Sequence, residues 1–212
     1  MNKIIKTALL SIIFGLSIPM QAYAMNAIGK ATDITGTVMV ERAGQSATQE
    51  LQIDDPIFLH DTILTDEGDY AEIEFIDETL IAISDAQGRL SIDEYVYDPE
   101  KPEENKARFN ILRSSFKYVS GLVGKENHDV KIGLDFGSIG IRGTTIYRAM
   151  RDGECWIYLE DGKIQVKNKA GFVTLNPNDG TRMRSNKIAP LPAKPWAQKN
   201  IDWIKAEVAK PE

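Results

Sequence analysis

The chain has 212 residues, with 25 Lys and Arg against 31 Asp and Glu and a formal net charge of −6 at pH 7. An acidic surface repels nucleic acid, whose binding needs clustered cations, so that class of function is set aside. Cys155 is the only cysteine, which excludes an internal disulfide and leaves stability to packing.

The chain opens with Lys3 and Lys6, then an apolar run from Ala8 to Met20, then Ala22-Tyr23-Ala24 as a small-x-small cleavage site. This is the pattern of a secretory signal peptide over residues 1–24, leaving a mature chain from Met25. The apolar run is short for a bilayer span, no later stretch approaches spanning length, and no cysteine sits where a lipid anchor would need it. The expectation is a soluble mature protein, periplasmic or secreted and not membrane-spanning, with a net charge of about −8 once both lysines leave.

From Ile34 to Arg184 short apolar runs alternate with turn residues at intervals of about eight to twelve, the signal of an all-β domain. Thr37-Val38-Met39-Val40, Thr62-Ile63-Leu64-Thr65 and Ala71-Glu72-Ile73-Glu74-Phe75 are half-buried strands by their two-residue period. Asp98 to Lys106 is Pro-rich and charged and predicts a surface loop, as does the polar stretch from Gly121 to Asp129. Asp152-Gly153 and Asp161-Gly162 lie between apolar runs and predict two hairpin turns, because Asp-Gly supplies the positive φ that such turns need.

Gly36 to Asp55 and Gly162 to Asp179 echo each other, which suggests a coiled arrangement rather than a flat sheet. The fold class expected is therefore all-β: a coiled β-roll or β-solenoid, or a sandwich of short strands, with a short C-terminal helix. The Pro-rich run Ala189 to Pro195 should be extended. Residues 196–209 carry Trp196, Ile201, Ile204 and Val208 at near-helical spacing, an amphipathic helix that either docks on the β domain or faces a partner.

The organising stretch is Gly137-Ser138-Ile139-Gly140-Ile141-Arg142-Gly143-Thr144-Thr145-Ile146-Tyr147, a β-branched run punctuated by glycines. Interior glycines of this kind mark bulges, bends or close backbone approach. On a two-residue period Ile139, Ile141 and Gly143 share one face, and Gly140, Arg142 and Thr144 the other. Arg142 has two readings: a buried arginine pinning adjacent coils through a carboxylate and carbonyls, or a contact to a ligand or partner.

Ser138 to Thr145 resembles the signature of the FecR domain, a bacterial periplasmic module. Two further blocks are similar to that family: Asp61 to Thr65 with Ala71 to Thr79, and Phe116 to Leu122. The resemblance covers Thr37 to Arg182. It implies a FecR-like β domain over residues 25–185, followed by a Pro-rich segment and helix over 186–212. It also marks Gly140, Arg142, Gly143 and Thr144 as the family's motif residues, with a structural role as the first reading and a binding role as the other. In that family the domain often forms the periplasmic part of a transmembrane anti-sigma regulator. Neither a cytoplasmic anti-sigma part nor a spanning helix is present in this sequence, so the resemblance implies a secreted interaction domain.

The expected partner is an envelope or outer-membrane protein in signalling or assembly, or else a surface glycan. Tyr95, Tyr97, Trp196 and Trp203 are candidate contacts. No catalytic constellation is legible: His60 and His128 lack companions at zinc-ligand spacing, and no nucleophile elbow or phosphate loop occurs. Acidic pairs such as Asp54-Asp55 fall where turns are expected. No cofactor, metal or enzymatic activity is therefore expected. An envelope-polysaccharide hydrolase using a carboxylate pair and an assembly subunit joined through edge strands are the rival readings. Cys155, within an apolar strand, reads as a small hydrophobe or, alternatively, a reactive thiol.

Overall fold

The computed structural model describes residues 26–84, 87–126 and 129–211. The signal peptide expected over 1–24 and the loop residue His128 lie outside the described residues.

The strands are β1 (Gly29–Thr35), β2 (Met39–Glu41), β3 (Thr48–Glu50), β4 (Pro56–Ile57), β5 (Thr62–Thr65), β6 (Tyr70–Phe75), β7 (Leu80–Ser84) and β8 (Gly88–Val96). After a single 3₁₀ turn at Pro102–Glu104 come β9 (Lys106–Leu112), β10 (Ser115–Val119), the short helix α1 (Leu122–Glu126) and β11 (Val130–Leu134). The chain then forms its two longest strands, β12 (Gly137–Arg151) and β13 (Glu154–Asn168). It ends with β14 (Gly171–Leu175), β15 (Asp179–Met183), β16 (Lys194–Pro195) and α2 (Gln198–Glu207).

All of these strands belong to one curled sheet, and the fold is all-β. Its path is β3-β2-β5-β8-β9-β11-β12-β10-β7-β6-β1-β4, with β13 on the free side of β12 and β14 and β15 on β13. The register explains how it curls. β11 pairs with the first part of β12 (Val130 opposite Ile141, Leu134 opposite Gly137), whereas β10 pairs with the last part (Val119 opposite Thr145, Phe116 opposite Arg148). On the other side of the ribbon, β14 takes the end of β13 and β15 takes its beginning. The β12–β13 ribbon therefore passes from one half of the sheet to the other.

Both halves close on one apolar cluster. Phe75 on β6 stacks on Tyr95 of β8 with ring centroids 5.3 Å apart and meets Phe109 of β9 at 5.1 Å. Ile63, Ile73, Ile81, Ile132, Ile146 and Val166 are wholly buried in the same cluster. At about 25 cal/mol per Å² of apolar surface, this burial is the main stabilising term in a chain without a disulfide.

Three local expectations are corrected. Asp152-Gly153 does form a hairpin turn, with φ of 53° and 74°, but Asp161-Gly162 does not. β13 runs straight through it, and the register slips between Arg142 and Thr145 of β12, so Gly162 (φ 86°) lies opposite a bulge at Gly143 (φ 58°). Positive φ serves a bend in a ribbon as well as a turn. The loop from Gly121 contains α1, held at its start by Asp77. Finally, Gly36 to Asp55 and Gly162 to Asp179 are not successive coils: the β2–β3 and β13–β14 hairpins stand at opposite ends of one half-sheet.

The C-terminal segment behaves as its periodicity predicts. Helix α2 buries Ile201 and Ile204, with Val208 just beyond it, against Tyr147, Ala149 and Tyr158 on the back of the ribbon. Lys205 pairs with Glu160, and Ser84 donates to the Glu207 carbonyl at 2.9 Å. No helix among the described residues is long and apolar enough to cross a membrane.

Candidate functional site

The three sequence blocks that carry the family resemblance meet in space. Asp77, wholly buried, accepts from the Tyr95 hydroxyl (2.8 Å), the Thr79 hydroxyl (2.9 Å) and the Val123 amide (3.1 Å). Thr79 accepts from the Gly121 amide at 3.1 Å. Ser120 accepts from the Thr144 amide at 2.8 Å and donates its own amide to the Thr144 carbonyl at 2.9 Å. Thr144 is thus a buried structural residue, and Gly143 beside it supplies the bend of β12. Burial and the neighbouring Asp77 carboxylate push the Tyr95 phenol well above its ordinary value, so it stays a donor.

The bulge at Gly143 shifts the inward phase of β12. Ile139 and Ile141 point inward before it, and Thr144, Ile146 and Arg148 after it. Arg142 is therefore exposed and its side chain makes no ion pair or hydrogen bond among the described residues, contrary to the buried-arginine reading. The buried arginine is Arg148, at 0% exposure. It donates to Asp135 Oδ2 at 2.8 Å, to the Ser114 carbonyl and to Cys155 Sγ at 3.3 Å. Cys155 is fully enclosed, and burial raises its thiol pKa despite the nearby guanidinium. A thiol held protonated and out of reach packs rather than reacts.

The aromatic candidates are largely committed to the protein itself. Tyr95 is core, Tyr97 packs on the core edge, and Trp196 and Trp203 each meet Trp156 edge-on, at 5.3 and 5.5 Å. Arg151 covers Trp203 and Arg182 covers Trp156, each at 4.9 Å. His60 sits exposed in a left-handed turn with φ of 68°.

What the fold does assemble is a groove of about 930 Å³ on the outer face of β11, β12, β13 and β14. Two of the four motif residues, Gly140 and Arg142, line it. Across the strands, Arg108 lies beside Lys131, Lys131 opposite Gly140, Gly140 opposite Gln165, and Gln165 opposite Thr174. In neighbouring rows Arg142 lies opposite Lys163 and Ser138 opposite Lys167. A Cβ on Gly140 would meet nothing nearer than the Gln165 carbonyl oxygen at 4.0 Å, so the floor is bare backbone there. The far wall is fixed by Asn168, whose amide donates to the Ser185 and Ile188 carbonyls at 3.0 and 2.6 Å.

The groove is cationic. Its two carboxylates are already taken: Asp129 binds Arg108 at 2.6 Å and Asp135 binds Arg148 at 2.8 Å. Lys131, Arg142, Lys163, Lys167 and Lys169 all line it without an ion pair among the described residues. Arg142 and Lys163 are directly opposed like charges, an arrangement that costs a sheet stability. The lysines were overlooked in sequence because they lie on separate strands, although Lys163-x-Gln165-x-Lys167 already shows an outward polar face by its period. Among the described residues no three His, Cys, Asp or Glu side chains are grouped closely enough to hold a metal ion.

No family model matches the chain, and no curated protein matches it. Two crystal structures of a candidate anti-sigma factor from Parabacteroides distasonis do resemble it. The TM-scores are 0.51 and 0.52, at 14% identity, over 67% of this chain and 63% of that protein. The likeness is one of fold. The chain thus covers less than two thirds of that protein's length.

Proposed function

We propose that this chain is a FecR-like interaction module of the bacterial envelope, exported by residues 1–24 and without catalytic activity, which engages its partner through the cationic groove. The observation that carries this reading is the convergence of Lys131, Arg142, Lys163, Lys167 and Lys169 on one side of the ribbon. An acidic chain that gathers partnerless cations in one groove focuses its attraction there and repels anions elsewhere. The fold likeness to a candidate anti-sigma factor supports a regulatory or interaction role. The rival carboxylate-pair hydrolase finds no free pair in the groove, since Asp129 and Asp135 are each bound to an arginine.

The test is crosslinking capture from a cell-envelope extract with the mature chain as bait, analysing both protein and sugar. Material retained by the wild type should be lost with Arg142→Glu/Lys163→Glu. Equal capture by both chains would overturn the assignment of the groove.

A further inference from the structure

Resting on the reading of the groove as the contact surface, we propose that its occupant is a linear anionic polysaccharide, carboxylated or sulfated, laid across the strands. The dimensions suit a chain rather than a small anion. From β9 to β14 the groove crosses five strands, roughly 19 Å at the usual spacing of paired strands. A second hollow beside β8 and β9 shares Arg108, Lys131 and Ser138 with it but is also lined by Asp93 and Glu94, so the path of an anionic chain ends at that edge.

The side chains alternate in a way that a hydroxyl-rich polyanion satisfies. Between the free cations lie Ser138, Gln165, Thr174 and Asn186, none of whose side chains makes a hydrogen bond among the described residues. The cations meet the acid groups and the neutral side chains meet hydroxyls. Four of the five cations are lysines, which act as point charges and do not demand the bidentate geometry that an arginine cluster reads in a phosphate.

Other polyanions fit less well. Single-stranded nucleic acid needs aromatic platforms for its bases, and among the described residues the groove is lined by one aromatic, Phe136. An acidic peptide in extended form gains most by adding to a sheet edge, but β11, β12 and β13 under the cations are paired on both sides, and the one free edge, that of β14, lies at the rim of the groove. The groove floor therefore offers no free backbone ladder.

The test is titration of the mature chain with defined probes: polygalacturonate oligomers, dextran sulfate, neutral dextran, poly-L-glutamate and an oligothymidylate. Polygalacturonate or dextran sulfate should bind, and neutral dextran should not. Raising the salt from 50 to 200 mM should weaken that binding on the order of tenfold to a hundredfold, as counterion release by a handful of cations requires. Lys163→Glu/Lys167→Glu should abolish it, and Lys163→Arg/Lys167→Arg should restore it.

Failure of both anionic glycans to bind overturns the proposal, as does equal binding of neutral dextran. Tight binding of poly-L-glutamate or the oligothymidylate alone, sensitive to the same charge reversals, overturns the glycan while leaving the groove as the contact surface. Failure of every probe, with envelope capture also indifferent to charge reversal, overturns both.

Discussion

Two arginines six residues apart on one strand have opposite fates, and the bulge between them is the reason. Arg148 is enclosed with Asp135, the Ser114 carbonyl and Cys155 around it. Arg148→Ala empties a fully buried site and strands the Ser114 carbonyl, while Asp135 at the groove can be solvated, so the variant should destabilise the fold by about 2–4 kcal/mol. Arg142→Ala removes only an exposed side chain and should stay within roughly 0.5 kcal/mol of the wild type. Thermal melting of the two variants checks both values.

Lys163 supplies a sharper contrast. Lys163→Glu sets a carboxylate opposite Arg142 and replaces like-charge repulsion with an ion pair, which should raise stability by about 0.2–1 kcal/mol. The same change should remove ligand retention. A variant that loses both stability and binding would mark Lys163 as structural.

At the scale of elements, the β12–β13 ribbon shapes the molecule. Its bend rests on two glycines with positive φ, Gly143 and Gly162, packed so closely that a Cβ on Gly162 would run into the Gly143 carbonyl oxygen. Gly162→Ala should therefore cost more than the 1–2 kcal/mol of left-handed strain alone, and denaturant unfolding would show it. Gly140→Ala, on the open floor, should be nearly neutral.

The ribbon also shows what the sequence reveals and what it conceals. Strand identity was legible from alternation, and the docking of α2 from Ile201, Ile204 and Val208. Asp161-Gly162 was misread as a turn because the same φ preference serves a turn and a bulge, and only pairing with Gly143 decides between them. Arg148 was overlooked for a related reason. Its inward phase follows from Thr144 and Ile146, but that phase is set by a bulge no single-strand period reveals.

At the scale of the molecule, charge and burial are arranged for different tasks. The buried titratable groups lean one way: Cys155, Tyr95 and Tyr118 all have pKa values raised, chiefly by burial. Each holds its proton more tightly folded than unfolded. Stability from these groups is therefore present below the ordinary thiol value of 9.0 and phenol value of 10.0, and is lost as pH rises through and above them. Melting temperature should fall steadily above pH 9, and Cys155 should resist thiol reagents in the native state while reacting once unfolded. Outside, on a chain of net negative charge, the groove gathers five cations without ion pairs among the described residues. Of the motif residues Gly140, Arg142, Gly143 and Thr144, the first two line the groove, whereas its lysines come together only where β11, β13 and the turn after β13 lie side by side.

The most direct measurement is a map of backbone amide chemical shifts as polygalacturonate oligomers are added to the mature chain. The account predicts shifts at Lys131, Gly140, Arg142, Lys163, Gln165 and Thr174, with α2 and the tryptophan cluster unmoved. Shifts confined to α2, Trp156 and Trp203, with the groove silent, would contradict it.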